Sequence, residues 1–178
     1  LSISDGSQPV GRGIGPALEA RDVLQVLQRQ PEAPADLRDR ALSLAAHILE
    51  LGGACPSGEG LRLATQVLDS GQAWDKFVQI CEAQGGLREL PQSSHKTEVV
   101  ATESGVVSAI DNRVLARAAK LAGAPKAAAA GIDILVQLGD KVSVGQPLYV
   151  LHAIAPGELN YALHYVQSRP PIVEVLSN

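Results

Sequence analysis

The residue types able to do chemistry gather at the start of the chain. Gly11-Arg-Gly-Ile-Gly15 runs straight into a segment carrying Glu19 and Asp22, three residues apart. Glycines ahead of a helix let backbone N–H groups approach an anion at the positive helix end, the chemistry of a phosphate loop. The stretch departs from both familiar forms of that loop. No Gly-Lys-Ser/Thr follows, and the third glycine comes two residues after the second, where a dinucleotide fingerprint spaces them by three. A tight, closely packed turn is the favoured reading. Glu19 and Asp22 occupy neighbouring positions on one helix face. Such a pair can act as acid and base or ligate a cation; a solvated surface near the positive dipole end is the preferred alternative.

The other reactive groups do not assemble by spacing. His47, His95, His152 and His164 fall in different segments and form no ligand set with zinc-type spacing. No Gly-x-Ser-x-Gly is present, so a nucleophile elbow is unsupported. Cys55 and Cys81 lie 26 residues apart without a CxxC, which favours two free thiols in a reducing cytoplasm over a disulfide.

The elements that must carry these groups differ between the two halves of the chain. Residues 16–86 read as helical throughout. Pro16 suits a first helical turn, and Leu37, Ala41, Leu44, Ala45, Ile48 and Leu51 follow helical spacing until Gly52-Gly53. Ser57 is the expected cap of a third helix ending at Gly71, and a fourth carries Trp74, Phe77, Ile80 and Cys81. Leu87–Ser94 reads as a linker. Beyond it short β-branched runs alternate with turns: Thr97–Ala101, Gly105–Ile110, Ile132–Gln137, Pro147–Ala153 and Ile172–Leu176. Asp111 is placed to cap a helix from about Arg113 to Ala122, Ala124–Gly131 reads as a mobile small-residue loop, and Glu158–Val166 as a last helix. The period shift sets a domain boundary at residue 90, dividing 1–90 from 91–178.

Composition narrows the function classes. At 178 residues and 46% hydrophobic content the chain can bury a core, and aromatics at 3% leave Trp74 and Phe77 as the only expected bulky anchors apart from three tyrosines. A net charge of −4 with scattered Lys and Arg gives no electrostatic reason to bind nucleic acid. No run of 18 apolar residues suggests a membrane span, and no signal peptide is seen. The chain opens on Leu-Ser-Ile-Ser and contains no methionine, so it is expected to be the C-terminal piece of something longer.

The second half holds Gly139-Asp-Lys-Val-Ser-Val-Gly-Gln-Pro-Leu148, with Val142 and Val144 expected to alternate inward. The run resembles the flattened barrel of biotinyl and lipoyl domains. A carrier domain would then present a lysine, but this chain continues His152-Ala-Ile-Ala-Pro156. The fold expectation is therefore α+β: a helical N-terminal half, then a small α/β C-terminal domain containing a biotinyl/lipoyl-like flattened barrel.

Four stretches together resemble the C-terminal part of the thymidine/pyrimidine-nucleoside phosphorylase family. They are Gln8–Asp22, Ala41–Gly53, Ser104–Asp111 and Gly131–Ala153. The wording Asp-Gly-Ser-Gln-Pro, then Gly-Arg-Gly-Ile-Gly-Pro-Ala-Leu-Glu-Ala-Arg-Asp, is nearest the branch of AMP phosphorylases and their bacterial thymidine-phosphorylase relatives. The resemblance implies that residues 1–90 belong to the large phosphorylase domain and 91–178 to its C-terminal domain. It implies phosphorolysis: inorganic phosphate attacks a pyrimidine (deoxy)nucleoside, giving free base and a sugar 1-phosphate. AMP phosphorolysis is the alternative, and a non-catalytic carrier or interaction module a further one. Phosphate and base are held, in the family, by an N-terminal half absent here, so no catalytic residue is assigned in this chain. The resemblance also implies a cytoplasmic homodimer for the full-length protein. No cofactor is required, but a structural potassium ion is implied, with the carbonyls of Val10 and Gly13 and the carboxylate of Asp22 in its shell.

Overall fold

A computed structural model describes residues 3–177 of the chain. The fold is α+β, with six helices and two small antiparallel sheets among the described residues. The elements run β1 (Gly13–Ile14), α1 (Pro16–Leu27), α2 (Ala35–Leu51), α3 (Gly60–Asp69), α4 (Gln72–Ala83), β2 (His95–Val100) and β3 (Gly105–Ile110). Then come α5 (Asn112–Leu121), β4 (Gly131–Ile134), β5 (Lys141–Val142), β6 (Pro147–Ala153), α6 (Pro156–Gln167) and β7 (Val173–Leu176). Two compact units result. One joins residues 1–20 to 90–178, and the other is Arg21–Glu89.

In the first unit, one sheet has the order β1-β4-β6-β2 and the other β5-β3-β7. The expected flattened barrel is thus not closed; the strands form two separate sheets. Strand β1 precedes the four helices α1–α4 of the first half, with Gly13 paired to Asp133 and Ile14 to Ile132. Val107, Leu115, Ile132, Leu151 and Ile172 are almost fully buried and form the centre of this unit's core. Two helices pack on each other with Ala118 and Ala162 at zero exposure, and these small side chains let α5 and α6 approach closely. Asp111 caps α5: one carboxylate oxygen accepts the N–H groups of Arg113 and Val114, both at 2.9 Å. Val142 is buried, whereas Val144 is 65% exposed in the turn before β6, contrary to the expected alternation.

The second unit is built on a thinner core. Val26, Leu42, Ala64 and Leu68 are buried together, with Leu27, Leu37, Ala45 and Leu49 packed around them. Arg29 and Arg38 both reach Asp69 at the end of α3, through its carbonyl and its carboxylate, each at 2.9 Å. The cap of α3 is Glu59 where Ser57 was expected. Trp74 and Phe77 stack with ring centroids 6.1 Å apart but remain half-buried, and α4 has no fully buried residue. Trp74 and Phe77 therefore are not core anchors, whereas one of the three tyrosines, Tyr149, is buried in the first unit.

Candidate functional site

The glycine-rich turn is packed from within the protein. The Gly15 N–H donates to Glu19 Oε1 at 2.9 Å, and the Gly15 carbonyl accepts the Glu19 N–H at the same distance. Pro16 has no N–H to offer. The Ala17 N–H donates to the Ala128 carbonyl at 2.9 Å. At the positive end of α1, a carboxylate and a carbonyl of the same chain thus take the Gly15 and Ala17 donors. Glu19, four residues on from Gly15, reaches back to the Gly15 N–H, as the acidic partner of a capping box does.

The glycines themselves are required by close approach. Gly15 has φ +136° and would place a Cβ against the Ala130 carbonyl; Gly131 has φ +153° and would place one against the Ile14 carbonyl. A Cβ on Gly13 would strike the backbone of Leu18. Residues 124–131, expected to be a mobile loop, are the other wall of this contact, with Ala129 and Ala130 buried. The packed-turn reading of 11–15 agrees with this geometry, and the phosphate-loop reading does not.

Glu19 and Asp22 do not work as a pair. Glu19 is spent on the turn. Asp22 is 2% exposed, so the solvated-surface expectation fails for it. Arg21 reaches its Oδ1 with Nη2 at 2.7 Å and Nε at 3.1 Å. Burial without a countercharge would be costly for a carboxylate, and the guanidinium supplies that charge. Of the other residues named for a potassium shell, Val10 is 38% exposed, and Gly13 lies in β1. Val10 and Gly13 fall in the first unit and Asp22 in the second.

The outer face of the four-stranded sheet carries polar residues that sequence spacing did not bring together. Gly13, Asp133, Val150 and Glu98 make one cross-strand row; Gly131, His152 and Lys96 make the next. Lys96, Glu98, Asp133 and His152 line an open hollow of about 630 Å³. His152 is buried, with Nδ1 2.9 Å from Ser93 Oγ, a bond that pins the segment ahead of β2 to β6. A sequence separation of 59 residues gave no signal of it. Among the described residues no three His, Cys, Asp or Glu side chains group as a metal site. Cys55 and Cys81 are free thiols. Tyr149 lines a second cavity of about 300 Å³, and burial pushes its phenol up to about 12. No described helix is long and apolar enough to cross a membrane.

Residues 106–172 match the family model described as pyrimidine nucleoside phosphorylase C-terminal domain. Similarity to individual proteins extends further. The chain is 65% identical over its whole length to a protein of Acidovorax sp. (strain JS42) named "Putative thymidine phosphorylase 2", covering 35% of that protein. It is 61% identical over 98% of its length to a Polaromonas protein named "Putative thymidine phosphorylase", covering 34% of it. A Ralstonia nicotianae protein of the same name is 59% identical over 95% of the chain, with 33% of the relative covered. The chain thus spans about a third of the length of these relatives. Residues 106–172 thus match the C-terminal domain of pyrimidine nucleoside phosphorylases, within a sequence similar from end to end to about a third of proteins named as thymidine phosphorylases.

Proposed function

We propose that this chain is the C-terminal scaffold of a thymidine (pyrimidine-nucleoside) phosphorylase. The full-length protein transfers a (deoxy)ribosyl group from a nucleoside to inorganic phosphate, releasing the free base and a sugar 1-phosphate. The observation that carries this reading is the identity of 65% along the whole chain to a protein bearing a thymidine phosphorylase name. The packed turn is in keeping with it. The donors of Gly15 and Ala17 are taken internally, and this reading places the chemistry in residues outside the 178. Nor does the carrier alternative gain support, because after β6 the chain enters α6 at Pro156 with no lysine between.

The test is phosphate-dependent base release by the full-length protein from thymidine, uridine, AMP and CMP. Thymidine or uridine turnover upholds the proposal, and AMP or CMP turnover moves the protein to nucleotide phosphorolysis. Turnover by the 178-residue chain alone would overturn the scaffold role. A homodimeric, cytoplasmic full-length enzyme belongs to the same reading, and light scattering tests its dimeric state. So does a potassium ion held by the carbonyls of Val10 and Gly13 with Asp22. Support comes from the burial of Asp22, while Arg21 competes for the same carboxylate. Replacing potassium by choline should lower the Tm of the full-length protein, and Asp22→Asn should remove that dependence. An unchanged Tm in choline would overturn the potassium reading.

A further inference from the structure

Helix α2 carries two apolar stripes, and the second unit uses only one. Leu42 and Ala46 are buried, with Ala45 and Leu49 beside them, and these four face the core. Ala41, Leu44, Ile48 and Leu51 are all exposed. The three larger side chains stand at 49%, 69% and 90% exposure. Their spacing of three, four and three places them in one line along the helix, the seam geometry by which a helix packs on another helix. Polar residues flank that line, with Ser43 and His47 exposed beside it. An amphipathic helix normally buries one stripe and solvates the rest; a second continuous apolar line marks a surface built to be covered.

We propose that this seam is the docking surface for the N-terminal part of the full-length protein, which packs an apolar helix along it. The proposal rests on the phosphorylase reading only in taking the protein to continue beyond these residues. The length of the relatives argues for that occupant: they match this chain along its whole length, yet it accounts for about a third of them. About two-thirds of each relative is therefore available to cover a seam that the matched third leaves open.

Thiol labelling of the full-length protein tests the proposal. In a Cys55→Ser, Cys81→Ser background, Leu44→Cys and Ile48→Cys are compared with Asp39→Cys, whose native side chain is 75% exposed on the same helix. The expected result is labelling at positions 44 and 48 at least tenfold slower than at 39. Equal rates, within about twofold, would overturn the proposal. Protection that vanishes on dilution to monomer would overturn it too, by assigning the seam to a second copy. Hydroxyl-radical footprinting of the unsubstituted protein at Leu44, Ile48 and Leu51 gives the same comparison if a variant fails to fold. Base release measured on the same sample separates the two readings. Activity with an open seam sinks the docking alone, and a covered seam without activity sinks the phosphorylase reading alone.

Discussion

At Gly15 a hydrogen atom stands where any other residue would drive a carbon into the Ala130 carbonyl, in a backbone conformation that L side chains rarely adopt. Gly15→Ala should therefore destabilise the chain by about 3 kcal/mol or more, read as a fall in denaturant midpoint. Gly139→Ala should cost less, since its Cβ meets open space even though φ is +90°. Tyr149 sets a pH dependence. Its folded value of about 12 lies above the ordinary phenol value near 10, so the folded state holds the proton more tightly. That contribution is complete below pH 10 and disappears as pH rises through 12. Relative to Tyr149→Phe, the native chain should lose on the order of 2 kcal/mol between pH 10 and 12, measured by urea unfolding at each pH. The Asp22 environment was not legible from spacing. Helical periodicity points to Glu19 as its neighbour, whereas the long Arg21 side chain reaches it from the adjacent position.

Among the elements, those with a sustained pattern could be read directly. The α2 and α5 helices follow apolar spacing, and Asp111 is a cap recognisable by residue type. Asp111→Ala should cost about 1 kcal/mol, and Asp111→Asn should restore most of it, both by thermal denaturation. What escaped were elements too short to have a period. Strands β1 and β5 are two residues each, and only the pairing partner makes them strands. Residues 124–131 misled for a related reason. A run of alanine and glycine reads as a loop by composition, yet small side chains are also what a crowded backbone contact needs. Aromatic size was equally deceptive for Trp74 and Phe77, because α4 lies at the edge of a thin core.

For the whole molecule, the two units differ in how much apolar surface they bury. Four buried residues make the core cluster of the second unit, against a far larger cluster in the first. Amide exchange in the 178-residue chain should accordingly be at least tenfold faster in α3 and α4 than in β4 and β6. Comparable protection in both would show that the helical unit is as stable as the sheets. The proposed chemistry was not legible in these residues, which span only a third of the relatives' length. The pairing of β1 with β4 has a consequence in time. Gly13 meets Asp133 across about 120 residues of chain, and the whole helical unit lies between them. At a synthesis rate of about 5–20 residues per second, β1 leaves the ribosome roughly 6–24 s before its partner. For that interval the glycine turn lacks its wall at Ala130 and Gly131, and the four-stranded sheet lacks both β4 and β6.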